Sequence, residues 1–292
     1  PDFRSSRMRQ PAEAFAIAEG EDSPATDLIP EATWRSIVSL PDDVSLRTSD
    51  HHGTLLRDLW DLWSNWSCLV GGLQQATSGL GRDSPIAHVA CDATDYLQAA
   101  IYSALVGHYR LARTSLRGVV ENLTIGLHLE LAQDYDTFAD WLDGTELGFG
   151  WAADHAHQHA RVAEMDAALQ STIGDDVFRQ RRPSDEGGLA RRLFRDLSKY
   201  AHGAPDFNDA DIWNSNGPIY VPNALEGWSQ AWLAVYALGV LLCRLAQPGL
   251  DALSWEAQFT TRSLFAHVAS RVDPNSPARR LFDAVPASVW AA

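Results

Sequence analysis

Residues 52–70, HGTLLRDLWDLWSNWSCLV, decide the architecture of this chain. Leu55, Leu56, Leu59, Leu62, Trp63, Trp66, Leu69 and Val70 recur at three- and four-residue steps. A backbone turning about 100° per residue gathers such positions onto one side of a helix, which then carries an apolar stripe that must be buried. Working outward, a Gly/Ser stretch near 78–85 ends this helix, and Pro85 opens a helical region running to about 132 with a bend near Gly107. Residues 136–144 and 145–173 form a third helical segment, 174–188 a basic, polar loop, and 188–203 a further helix. The loop at 203–223, rich in Gly, Pro, Asn and Asp, is long enough to expect function in it. Helices at 224–246 and 254–272 complete the pattern, and residues 218–222 are the only β-like stretch. The expectation is an all-α, multi-helix bundle with long antiparallel helices. A flexible or docking arm is expected over 1–50, the bundle over 51–273 and a docking tail over 274–292.

Composition narrows the function classes. The chain has 292 residues, 46% of them hydrophobic, with 11 tryptophans, enough for a large buried core. A net charge of −15 argues against broad, sequence-independent nucleic-acid binding, which depends on neutralising phosphates. The charge is uneven. Between Arg179 and His202 seven basic residues face three acidic ones, so that segment is +4 and the remainder −19. A local basic patch on an acidic body can still guide one phosphate into a cleft. Cys68, Cys91 and Cys243 form no CxxC pair and are read as small buried hydrophobes in a reducing cytoplasm. The apolar run 231–243 is short of the ~20 residues a membrane span needs and is read as a core helix, with no membrane partner.

The segment GLARRLFRDLSKYAHG, 188–203, carries the chemistry. Arg195 and His202 are seven residues apart, nearly two whole turns, so they share a face roughly 10 Å apart along the axis. Arg191, Arg192, Ser198 and Lys199 extend this polar stripe, and Leu189, Leu193, Leu197 and Ala201 supply the apolar side. Gly203 and Pro205 mark the stop. Upstream, Arg110, Arg113, Arg117 and Glu121 line one face of another helix, while Leu116, Val119, Val120 and Leu123 are expected inside. That stripe is either an ion-paired surface or a second wall of the His202 site. His155 and His159 would share a helix face with His157 turned away, and the three are read as a solvated or partner-facing cluster with no metal, because no HExxH motif or carboxylate on the same face accompanies them. Trp60, Trp63 and Trp66 are read as core rather than as a base-stacking stripe. No glycine-rich phosphate loop or nucleotide fingerprint is present, so no cofactor is expected.

The Arg195–His202 spacing resembles the R-x(4–6)-H motif of the HEPN superfamily, helical bundles that include metal-independent ribonucleases of toxin–antitoxin and antiphage systems. Asp196 fits that family's polar residue after the arginine. The resemblance implies proton transfer by His202, phosphate stabilisation by Arg195, RNA as substrate and a homodimer that brings two motifs together. Asp196, Lys199, Tyr200, Ser198, Glu121 and Arg117 would support these groups, and Arg191 and Arg192 would hold phosphate. A second similarity covers about 96–203. It is to an uncharacterised bacterial helical family that pairs an R-x(3)-E helix with a terminal "aH" helix, and it carries no function. Two alternatives stand beside the ribonuclease. One is a non-catalytic scaffold, antitoxin-like or regulatory protein, in which His202 caps its helix and Arg195 pairs with an acid such as Glu121. The other is a small-molecule binder using the tryptophan-rich core.

Overall fold

Helix starts in this chain are set by local chemistry. Ser84 caps the helix Pro85–Leu105 by accepting a hydrogen bond from the Ala87 amide, with Pro85 in the first turn, where its missing N–H costs nothing. Asp134 does the same for Tyr135–Leu142 through the Thr137 amide. The computed structural model describes residues 30–77, 83–180, 185–201, 217–247, 272 and 279–281. Two compact units divide the chain, Pro1–Ser39 and Leu40–Ala292. The described part of the first is α1, Glu31–Trp34, continued by a π-helical turn over Arg35–Ser39.

In the second unit, α2 is Leu40–Thr77, α3 Pro85–Leu105, α4 Tyr109–Ala132, α5 Tyr135–Leu142, α6 Phe149–Ala156, α7 Ala160–Ile173, α8 Leu189–Ala201 and α9 Pro222–Ala246. The fold is all-α, as the periodicity predicts. The boundary expected near residue 50 falls inside α2, which begins at Leu40 and kinks at His52 (φ −128°, ψ 23°). The first turns of α2 bury few side chains, Val44 and Thr48 among them, so their apolar pattern is faint. Asp42 and Asp43 in the first turn nevertheless favour a helix start there.

The region 85–132 is not one bent helix. Val106–His108 separates α3 from α4, and Gly107 sits at φ +83°, where its missing side chain leaves room for the Ile219 backbone. A connection this short between two long, mutually packed helices makes them antiparallel. The segment 145–173 likewise splits into α6 and α7. Helix α4 is central and packs against α3, α6, α8 and α9.

Tryptophans knit the core by burying their rings while their N–H groups donate to backbone carbonyls of α3. Trp63 donates to Thr94 at 2.9 Å, Trp66 to Ala90 at 2.9 Å and Trp232 to Leu97 at 3.2 Å. Trp66, Trp228 and Trp232 are fully buried, as a core reading requires, whereas Trp60 is exposed. Helix α9 has 25 residues, more than the apolar run alone suggests, and by length and composition it passes as a membrane span. In this fold 83% of its apolar window is buried, as in the core helix of a bundle. The cysteines depart from expectation. Only Cys243 is buried, while Cys68 and Cys91 are exposed on helix faces turned from the core. The expected helix at 254–272 and the docking tail lie outside the described residues, apart from Val272 and 279–281.

Candidate functional site at the α8 helix

Helix α8 is clamped at its start. The amides of Gly188, Leu189 and Ala190 donate to the carbonyls of Arg179, Asp176 and Val177 at 2.9, 2.8 and 3.0 Å. These are the N-terminal donors a helix cannot satisfy itself, so the 175–179 turn holds α8 in place of a side-chain cap. The segment expected as a loop at 174–188 is therefore, where described, an ordered clasp. Leu189, Ala190 and Leu197 are buried, Leu193 is half-buried, and Phe194 stacks on Phe149 of α6 at 4.0 Å between centroids.

The arginines of α8 fall into two groups. Arg191 binds Asp154 at 2.5 Å and donates to the Phe178 carbonyl at 2.8 Å. Arg192 binds the buried Asp175 at 2.5 Å and also donates to the Gly187 carbonyl. Both guanidiniums are thus spent on the clasp, where Arg179 adds pairs with Asp176 at 3.1 Å and Asp185 at 3.0 Å. Each is bound to a carboxylate and a carbonyl, so a phosphate held by either, as the sequence leads one to expect, has a carboxylate to displace first.

Arg195 differs. Its partners are distant and solvent-facing: the Glu186 carboxylate at 3.5 Å, itself 74% exposed, the Glu186 carbonyl, to which it donates at 3.4 Å, and the neighbouring Asp196 at 3.8 Å. Pairs of this kind in water are worth little and yield readily to a stronger anion. Lys199 holds Asp196 at 2.8 Å. His202 lies outside the described residues, directly after the last residue of α8.

The arginine stripe of α4 is a wall against α8. Arg117 pairs with Glu121 at 3.1 Å, donates to Ser198 Oγ at 3.1 Å and lies 4.7 Å over the Phe194 ring. Glu121 is therefore engaged within its own helix, and the acids that meet Arg195 are Glu186 and Asp196. Arg110 donates to the Tyr200 carbonyl at 3.4 Å. Arg113, in the expected stripe but not among the expected site residues, places its guanidinium 4.2 Å from the Tyr200 ring centroid. Burial lowers its pKa, with Tyr200 and Asp196 acting in the opposite direction. Leu116, Val119, Val120 and Leu123 are buried, as the pattern requires. What periodicity alone does not reveal is that the stripe turns toward α8 rather than to solvent.

The histidines also rearrange. His155 ends α6 and His159 precedes α7, so they do not share a helix face. Both nevertheless approach the buried His128 of α4, with ring centroids 5.2 and 5.5 Å away and His128 Nδ1 3.3 Å from His159 Nε2. Burial, then the proximity of His155 and His159, pulls the His128 pKa down to about 4. His157 turns to Asp166 at 3.3 Å. His155 stays exposed and the His157 side chain is 41% exposed, so the solvent-facing rings rest on one buried histidine, and among the described residues no group of three or more side chains is arranged to hold a metal ion. No protein-family model, curated protein or solved structure matches this chain.

Proposed function

We propose that this chain is a metal-independent, HEPN-like endoribonuclease of the toxin or antiphage-defence kind, acting in the cytoplasm, with Arg195 and His202 as its catalytic pair. The observation that carries the reading is the contrast along α8: Arg191 and Arg192 are tied into the clasp, whereas Arg195 keeps long, exposed pairs that an incoming phosphate displaces. A neutral His202 imidazole takes the proton of a ribose 2′-hydroxyl, whose oxygen attacks the adjacent phosphorus. The 5′-oxygen leaves with a proton from solvent or from the second histidine of a paired site, and a 2′,3′-cyclic phosphate remains. Arg195 stabilises the charge that builds on the phosphoryl oxygens. The free thiols, two of them exposed, fit a reducing compartment.

A second reading has its own observation. The closed network of Arg191, Arg192 and Arg179 with Asp154, Asp175 and Asp176 gives α8 a purely structural task, as in a non-catalytic regulatory or scaffold protein. One experiment separates them. Purified protein is incubated with single-stranded RNA in chelator and the 3′ ends are analysed. The ribonuclease gives cyclic phosphate ends, with Arg195→Ala and His202→Ala each losing about 100-fold or more in rate. Intact RNA with the parent protein, or equal cleavage by His202→Ala, leaves the scaffold reading.

A further inference from the structure

Among the described residues of the α4 stripe, Arg113 stands apart. Arg117 has a carboxylate and a hydroxyl, and Arg110 has the Tyr200 carbonyl among its partners. Arg113 is largely buried without being sealed from solvent. Among the described residues its guanidinium shows no hydrogen bond or ion pair, only the face of Tyr200 and the longer-range charge of Asp196. A cation drawn out of water with so little countercharge is unfavourable unless an anion completes it. Space is kept for the group as well. A Cβ on Gly227 of α9 would lie 3.0 Å from an Arg113 terminal nitrogen, so glycine there leaves the guanidinium its position between α8 and α9. Asp196 links this point to the proposed catalytic helix: it holds Lys199 at 2.8 Å, lies 3.8 Å from Arg195 and acts electrostatically on Arg113.

We propose that Arg113, backed by the Tyr200 ring, is an anion subsite that binds an RNA backbone phosphate next to the one held by Arg195, with Asp196 as the resident countercharge that the RNA replaces. This rests on the ribonuclease reading and adds to it a binding residue from a second helix. It is a positioning role: Arg113 fixes the register of the strand, and Arg195 and His202 act on the neighbouring linkage. Guanidinium on an aromatic face suits this task, since the ring orients the cation without neutralising it.

The test measures binding apart from cleavage. In a His202→Ala background, affinity for a short single-stranded RNA is followed by fluorescence anisotropy over a salt series. Arg113→Gln is expected to weaken binding about tenfold and to reduce the slope of log K against log salt by about 0.7, the share of one phosphate on a single strand. Arg113→Lys should recover part of both. Asp196→Asn should tighten binding in the parent and less so in Arg113→Lys, a coupling that neither a fold-damaging change nor the Lys199 and Arg195 contacts of Asp196 produce, and it carries the test if Arg113→Gln fails to fold. Unchanged affinity and slope in a folded Arg113→Gln, or no gain from Asp196→Asn, overturns the subsite. The two proposals fail separately. RNA bound through Arg113 but never cut by the parent protein removes the ribonuclease and keeps the subsite; RNA cut normally by Arg113→Gln does the reverse.

Discussion

At the scale of single residues, the molecule separates charges that hold the fold from charges left available. Asp175 is buried among Arg192, Arg179 and Arg280, and burial of this sort is tolerable only because the partners are close. His128 solves the same problem by staying neutral. Its folded pKa, about 4, lies below the ordinary value of 6.5, because burial and the adjoining His155 and His159 rings oppose a proton. The unfolded chain therefore binds more protons than the fold between those values, and stability rises with pH there. The stability due to a neutral His128 is fully present above about pH 6.5 and is lost as pH falls toward 4. Asp134 acts on the same ring in the opposite sense and moderates the loss. We expect Tm to fall through this window, and the fall to be shallower in His128→Gln, which keeps a polar side chain but takes up no proton. Equal slopes for the two proteins, measured by thermal melts from pH 4 to 7, would place the sensitivity elsewhere.

At the scale of elements, the junctions are more demanding than the helices. Gly107 turns α3 into α4 with φ +83°, and a Cβ there would stand 2.3 Å from the Ile219 carbonyl oxygen. Gly174, after α7, has φ +70° with nothing within 4 Å of a Cβ. Gly107→Ala should therefore cost about 2–3 kcal/mol, left-handed strain plus displacement of the 219 backbone, whereas Gly174→Ala should cost about 1 kcal/mol from strain alone. Denaturant melts of the two variants compare them, and equal losses would show that the contact with Ile219 relaxes freely. The same distinction explains what could be read in advance. The stripes from Leu55 to Val70 and from Leu116 to Leu123 are properties of a helix surface, so periodicity located them and their burial. The convergence of His128, His155 and His159 depends on a turn between α6 and α7, and Arg113 meets Tyr200 only because α4 and α8 pack together. Neither contact has a local signature. Arg191 and Arg192 share a face with Arg195 in sequence, yet the clasp that neutralises them is built by Asp154 and Asp175 from outside the helix.

At the scale of the whole molecule, net charge and local charge pull in opposite directions. The chain carries −15, and a body this acidic repels RNA except where the +4 segment from Arg179 to His202 faces it. The clasp consumes much of that segment's charge, and among the described residues Arg195 and the Arg113 wall are the cations left to a phosphate. Hydrolysis-free cleavage is better served by two such sets about one phosphate, one histidine taking the 2′ proton while the other protonates the leaving oxygen. We therefore expect a homodimer with its two-fold axis near α8, an isologous contact in which each copy supplies the same patch; the 204–216 part of the loop expected to flank the groove lies outside the described residues. Light scattering at micromolar concentration tests the mass. Mixing tests the geometry: Arg195→Ala and His202→Ala proteins, each inactive alone, should recover part of the parent activity after co-refolding if composite sites draw one residue from each chain. About half the dimers in an equal mixture are heterodimers by statistics alone, and each keeps one arginine and one histidine, with solvent protonating the leaving oxygen, so recovery should stay well below that share. A monomer at that concentration, or a mixture as inactive as its components, would leave the paired arrangement without support and return each proposed site to a single chain.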